Sequence, residues 1–311
     1  MITVLAGGVG AARMLSGIVQ VVRPSEVTAV VNVADDDVMH GLHISPDLDT
    51  VTYTLAGAID PERGWGLRDE TWRAMEALGR FRAVRPDGSQ AAPTWFNLGD
   101  QDLAVCLQRA RRLAEGARLT ETLDELRQSL GVEARVLPPT DEPVRTQIRA
   151  RGEWFGFQDY MIRQGAPGPV EGVEVLGAGA AVPTLEALDA IASASTVVIG
   201  PSNPVISIGP ILAVGGIADA LRATAAPVVA VSPLVRGAVL KGPTDLFLQW
   251  AGHPLNADGI VAHYEGLIDG LVSDERATGV PTLETAVEMG DADARRRVAL
   301  ETLVFAAALR G

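Results

Sequence analysis

Apolar positions along the chain follow two rhythms. Ile2–Ala6 and Val27–Val33 are short unbroken runs that stop at glycine or aspartate, the pattern of strands buried on both faces. Between them, Met14, Leu15, Ile18 and Val22 recur at helical spacing over Ala11–Val22. Strand, glycine turn, helix and strand make a βαβ unit with a right-handed crossover. The same rhythm returns late in the chain. Val173–Leu176, Thr196–Ile199, Val228–Val231 and Ile268–Val272 predict strands. Thr184–Ala192, Ile217–Ala223 and Gly259–Leu267 predict helices, and Asp291–Leu309 predicts an amphipathic closing helix.

The middle of the chain reads differently. Pro46–Ala58 begins acidic and turns apolar, as a helix start does. Glu70–Leu78, Asp102–Ala114 and Thr120–Leu130 predict further helices; Val144–Arg151 and Trp154–Met161 alternate as strands do. The pattern predicts an α/β fold: a doubly wound, mostly parallel, Rossmann-like sheet built from residues 1–59 and 170–311. Residues 60–169 form a smaller, mostly helical inserted subdomain over the carboxyl ends of the strands, where ligands of such sheets bind.

Composition narrows the chemistry. The formal net charge is −13, a field that repels phosphate backbones and acidic membranes, so neither a nucleic acid nor a membrane is an expected partner. An anionic ligand needs local amides, arginines or a bridging cation. With one cysteine, Cys106, there is no disulfide framework and no cysteine-based zinc site. No apolar run reaches about 18 residues, and glycines interrupt the opening stretch, so the expected location is cytoplasmic.

Four segments could carry chemistry. Gly7-Gly8-Val9-Gly10-Ala11 lies between strand and helix, where glycines let amides approach a phosphate; the same string also suits a tight turn needing glycine for geometry alone. Asn32-Val33-Ala34-Asp35-Asp36-Asp37 crowds carboxylates at a strand end, which calls for water, as in a solvated acidic turn, a hydrogen-bonding ligand, or a hard cation such as magnesium. Ser45-Pro46-Asp47-Leu48-Asp49-Thr50 is ordinary capping chemistry, with two aspartates that would not share a helix face. Gly200-Pro201-Ser202-Asn203-Pro204 follows a buried strand and offers small donors and exposed amides. Thr94–Asp102 reads as a turn into a helix, His40 and His43 as surface or cleft residues, and the tryptophans as packing.

Taken together, in this order, these strings resemble the 2-phospho-L-lactate transferases of coenzyme F420 biosynthesis (CofD, called FbiA in actinobacteria). Gly99-Asp100-Gln101-Asp102, Asp141-Glu142-Pro143-Val144, Phe157-Gln158-Asp159-Tyr160, Ser207-Ile208-Gly209-Pro210 and Val231-Ser232-Pro233-Leu234 extend the likeness to about residue 275. The resemblance implies transfer of a phospho-three-carbon-acid group, 2-phospholactyl or enolpyruvyl phosphate. The donor would be guanosine diphosphate-linked, the acceptor the ribityl hydroxyl of the deazaflavin Fo, and the by-product GMP. It implies Mg2+ as cofactor and a homodimer. Carried over by position, Asp49 and Asp47 are the catalytic candidates. Asp49, Thr50 and Asn97 would bind Fo. Gly8, Gly10, Ala11, Ser202 and Asn203 would hold the nucleotide, and Asp36, Asp47 and Asp49 the metal. Archaeal members carry basic residues where Asn97 and Gln101 stand, and Arg13, Arg145 or Arg163 are candidates to replace that charge. Two other readings use some of the same residues. A nucleotide-sugar-binding regulator of the YvcK type shares the glycine turn and the acidic strand end but lacks the PDLDT and GPSNP strings. A nicotinamide-dependent oxidoreductase would use Gly8, Gly10 and Asp35, with Arg13 where its third glycine belongs.

Overall fold

In the computed structural model the described residues are 1–89, 91, 95–240 and 242–310. The chain opens as the βαβ unit: β1 (Ile2–Ala6), α1 (Gly8–Ile18) and β2 (Val27–Val31). A short hairpin follows, β3 (Asp37–Met39) and β4 (Leu42–Ile44), turned by His40 and Gly41 at positive φ. Then come α2 (Pro46–Leu55), α3 (Arg73–Gly79), α4 (Asp100–Ala114) and α5 (Leu119–Ser129). Next are β5 (Arg135–Leu137), β6 (Arg145–Ala150), β7 (Glu153–Gly156) and β8 (Val170–Leu176). The second half runs α6 (Leu185–Ala192), β9 (Thr196–Ile199), α7 (Gly209–Ala213), α8 (Ile217–Ala223) and β10 (Val228–Val231). A small hairpin, β11 (Leu234–Val235) and β12 (Ala238–Val239), precedes α9 (Thr244–Trp250) and α10 (Ala257–His263). β13 (Gly270–Ser273), β14 (Thr282–Glu284) and α11 (Ala292–Ala308) close the chain.

The central sheet has seven strands in the order β14-β13-β10-β9-β1-β2-β5, every pair parallel. The fold is a Rossmann-like α/β fold. All five residues of β2 and all four of β9 and β10 are buried, which is why these strands read as unbroken apolar runs. α1 packs against α2 and α11, and Gly17 lets the α11 backbone in: a Cβ there would meet the Arg295 carbonyl oxygen at 2.2 Å. Strand order reverses between β1 and β9, so the loops after these two strands face each other at the topological switch point.

Three elements differ from the sequence expectation. The strand expected at Val173–Leu176 forms, but as part of β8 in a separate three-stranded antiparallel sheet, β7-β6-β8. Its Glu171 and Glu174 leave it half exposed, which suits a sheet with one wet face and not the centre of a parallel one. The edge strand β5 comes from within residues 60–169 and is only three residues long, too short to register as a pattern. The strand expected over Trp154–Met161 ends at Gly156, and Asp159–Arg163 winds as a π-helical turn. Among the described residues no single helix is long and apolar enough to cross a membrane.

Candidate active site

At the switch point the glycine turn and the loop after β9 are locked together. Ser202 Oγ donates to the Gly7 carbonyl at 2.6 Å and accepts from the Gly7 amide at 3.3 Å. Gly8 needs its freedom because φ is +66°; Gly10 needs its missing side chain, since a Cβ would lie 2.1 Å from the Pro201 carbonyl oxygen. Asn203 Oδ1 accepts from the amides of Val205 and Ile206 at 2.9 and 3.2 Å, capping the Pro204–Ile208 turn. These residues wall a cavity of about 300 Å³ that Gly8, Gly10, Arg13, Asp35, Asp47, Ser202 and Asn203 all line. Ala11 does not line it; it is buried behind the wall, with its Cβ against Gly200.

A seam of carboxylates reaches this cavity, with Asp35 and Asp47 in its lining and Asp36 behind them. Asp35 and Asp36 follow β2, and Asp47 sits in the first turn of α2. Asn32 Nδ2 donates to Asp47 Oδ2 at 3.1 Å. Asp36 Oδ2 accepts from Ser45 Oγ at 2.7 Å and lies 2.9 Å from His43 Nε2. One oxygen of Asp35 and one of Asp36 are buried with no partner. Burial pushes the Asp35 carboxyl well above the usual carboxylate range, and the neighbouring Asp47 adds to it. Burial raises Asp47 to about 6, against the hydrogen bond from Asn32. Buried oxygens without donors are the signature of a hard-cation site, so the donor set fits magnesium. Asp37 lies outside the seam, on the hairpin strand, where it bonds the Val38 amide.

A second cavity, about 490 Å³, opens beside the first. Its lining is largely apolar and aromatic, with Trp65, Trp95, Phe96, Leu98 and Met161, but also holds Asp49, Thr50, Asn97, Asp102 and Cys106. Met161 borders both cavities. Asp47 and Asp49 share the first turn of α2 but point about 200° apart, as two helical residues must. Asp47 faces the first cavity and Asp49 the second.

Asp49 is not a free carboxylate. The Arg109 guanidinium, itself buried, pairs with Asp49 Oδ1 and also reaches the His43 carbonyl at 3.4 Å. Burial pushes the Asp49 carboxyl up while Arg109 holds it down. Tyr53 Oη donates to Asp102 Oδ1 at 2.8 Å. Burial raises the Asp102 carboxyl to about 7, and the charge of Asp49 adds to it. Asp102, Cys106 and Arg109 are the buried residues of α4, one polar stripe at i, i+4 and i+7. A cation on Asp49 would compete with Arg109, although Asp49, Asp102 and Cys106 are the group whose ligand atoms gather within 4.8 Å of one another among the described residues; Asp35 and Asp47 instead face the first cavity. Asp35 adds to the metal set expected from the sequence.

The sequence expectation missed Arg109; its spacing from Asp102 and Cys106 is a weak signal, because an arginine on a helix ordinarily faces solvent. Of the other arginines expected to supply charge, Arg13 lines the first cavity. Arg163 lies 5.8 Å over the Trp95 ring and pairs with Asp159, and Arg145 bonds the Val144 carbonyl. Gln101 is turned to the surface and donates to the Arg68 carbonyl at 3.2 Å. The tryptophans expected to be packing include Trp65 and Trp95, which line the second cavity. Thr94, where the turn into α4 was expected to start, lies outside the described residues.

Residues 2–303 match the family described as 2-phospho-L-lactate transferase CofD. The chain belongs to this family. It is a transferase of coenzyme F420 biosynthesis. Among relatives of this CofD member, the phosphoenolpyruvate transferase of Mycobacterium avium is 41% identical over 288 residues, covering 85% of this chain and 83% of that protein. The phosphoenolpyruvate transferase of Mycolicibacterium smegmatis is 40% identical over 294 residues, covering 88% of each. That of Nocardia farcinica is 40% identical over 296 residues, covering 91% of this chain and 87% of the relative. Among solved structures, a member of the UPF0052 family from Bacillus halodurans superposes with a TM-score of 0.54 at 20% identity, over 90% of this chain and 81% of that one. At that identity the likeness speaks to the Rossmann-like fold alone.

Proposed function

We propose that the protein moves an enolpyruvyl phosphate group from a guanosine diphosphate-linked donor to the ribityl hydroxyl of Fo, releasing GMP. The observation that carries this reading is the meeting of two unlike cavities at one helical turn. The cavity at the switch point, the more polar of the two and walled by Gly8, Gly10, Ser202 and Asn203, suits a nucleotide diphosphate. The aromatic cavity beside it suits a flat ring system, with Thr50 and Asn97 as polar contacts. The acid is assigned from the relatives at about 40% identity, which are named phosphoenolpyruvate transferases.

In this reading the acceptor hydroxyl oxygen attacks the phosphorus that bears the three-carbon acid. The bond from that phosphorus to the bridging oxygen breaks, and GMP leaves with the electron pair. The chain forms no covalent intermediate; its work is positioning and charge control. Asp49 orients the attacking hydroxyl and is the carboxylate placed to receive its proton. Arg13 stands beside the nucleotide cavity to meet phosphate charge. Asp36, Asp47 and Asp35 would hold Mg2+, which when bound neutralises the diphosphate against this acidic seam.

The test is calorimetric titration of Fo into the protein with GDP and magnesium present, followed by product mass with enolpyruvyl and lactyl donors. Saturable Fo binding and a product carrying the enolpyruvyl group are expected. GDP binding without Fo binding would overturn the acceptor assignment, and a lactyl-only product would overturn the donor.

A further inference from the structure

We infer that Arg109 is the positioning residue of the acceptor cavity: it holds Asp49 from behind, so that the carboxylate enters the cavity with fixed orientation and fixed charge. The inference rests on the functional reading above.

Arg109 and Asp49 stand on opposite sides of one wall. Asp49 lines the aromatic cavity, whereas Arg109 borders the groove of about 400 Å³ between α4 and α5. Arg109 is only 4% exposed, and its polar contacts are Asp49 Oδ1 and the His43 carbonyl. It therefore reaches a bound acceptor through Asp49 alone.

Fold stability does not explain the pair. A buried helix face at i, i+4 and i+7 is ordinarily apolar, and replacing a buried ion pair with apolar residues is often neutral or stabilising. Here that face carries Asp102, Cys106 and Arg109. The surroundings explain it better. Ligand atoms of Asp49, Asp102 and Cys106 lie within 4.8 Å of one another. Asp36 bears on Asp49 from the strand side as a like charge, against which His43 helps only in part. Without Arg109 the carboxylate would face like charges and turn away or take up a proton. The contact is also specific for arginine. Two separate guanidinium nitrogens serve Asp49 and the His43 carbonyl, and a lysine ammonium cannot span both in that geometry.

The base of α4 is rigid enough for this role. Glu70 Oε1 accepts from the Asp102 amide at 2.8 Å, and Asp100 accepts from the Thr71 amide at 2.8 Å, a reciprocal cap between the helix and the segment following Trp65. A Cβ on Gly99 would sit 2.1 Å from the Glu70 carboxyl carbon, so the cap is packed as well as bonded.

The experiment compares wild type, Arg109→Lys, Arg109→Met, Asp49→Asn and the Asp49→Asn/Arg109→Lys double variant in the full chain. Fo kinetics, GDP affinity and melting temperature are read for each. Arg109→Lys should fold, bind GDP as wild type does, and lose roughly 10²-fold in kcat/KM for Fo, the size of loss that misplacement by about 1 Å produces. In the Asp49→Asn background the lysine change should cost nothing further, because Arg109 acts through Asp49. A merely structural role would lower GDP affinity and Fo kinetics together and add to the Asp49→Asn loss. That pattern, or wild-type Fo kinetics in Arg109→Lys, overturns the inference while leaving the functional reading intact. Should Arg109→Met fail to fold, the lysine pair decides. Wild-type protein that neither binds nor uses Fo overturns the functional reading and this inference with it.

Discussion

Ser202 grips Gly7 by both of its backbone groups, donating to the carbonyl at 2.6 Å and accepting from the amide at 3.3 Å across 195 residues of sequence. One hydroxyl thereby joins the loops after β1 and β9, the two strands where the sheet reverses its order. Ser202→Ala leaves a buried amide and a buried carbonyl without partners, a cost of about 1–3 kcal/mol. The melting temperature should fall and GDP affinity with it, while Fo affinity without nucleotide should hold. Calorimetry on the two ligands separately checks this, and unchanged GDP binding would refute the coupling.

Gly10 faces the same seam from the other side. A methyl group there would lie 2.1 Å from the Pro201 carbonyl oxygen, a backbone atom that cannot swing aside as a side chain can. Gly10→Ala should cost about 1–3 kcal/mol, in the range of other overpacking changes, and reshape the nucleotide cavity. Thermal melts and GDP titration read both effects. A fully stable variant with normal GDP affinity would show that the loop after β9 moves freely.

The legible parts of the chain were those in which one residue property decides position. β2, β9 and β10 were readable because unbroken apolar runs have few other homes. The glycine turn and the loop after β9 were readable as cavity walls because they end adjacent parallel strands. What those loops do internally was not readable. Ser202 and Asn203 were expected to hold ligand, and their side chains are engaged with Gly7, Val205 and Ile206. Arg109 was hidden for a physical reason: an arginine on a helix is expected at the surface, and the packing of α4 against β4 and α5, with Asp49 of α2 as its ion-pair partner, buries it. Trp65 and Trp95, expected to be packing, do pack, Trp65 on Trp72 and Trp95 on Phe96, and line the second cavity as well, which periodicity cannot show.

Asp49 carries the sharpest catalytic expectation. Asp49→Asn keeps the shape and one acceptor oxygen for Arg109 but removes the charge. Turnover with Fo should drop roughly 10²-fold or more, in line with the loss of a general-base or orienting group. Because Arg109 stays buried beside a neutral partner, the melting temperature should also fall. Asp47→Asn should instead weaken magnesium-dependent GDP binding and spare Fo affinity, because Asp47 faces the other cavity. Steady-state kinetics with each substrate varied in turn separate the two, and equal effects of both variants on both substrates would remove the division of labour.

Two buried carboxylates, Asp47 at the first cavity and Asp102 at the second, make stability depend on pH in a direction opposite to that of most carboxylates. Asp47 is raised to about 6 and Asp102 to about 7, both chiefly by burial, against about 3.9 for an unfolded aspartate. Between about pH 4 and 7 the folded chain therefore binds more protons than the unfolded chain. Stability from these groups is full below about pH 4 and is lost as pH rises through 6 and 7. In excess chelator the melting temperature should fall across that interval, and Asp102→Asn should flatten part of the fall. Magnesium binds the ionised form, so its stabilising effect should grow as the competing protons leave. Melts at stepped pH, with magnesium or with chelator, test both signs at once. If Asp47→Asn abolishes the magnesium response and removes from the chelator profile only the part of the fall near pH 6, the cation sits on the seam. A magnesium response that survives Asp47→Asn at every pH would move the cation elsewhere.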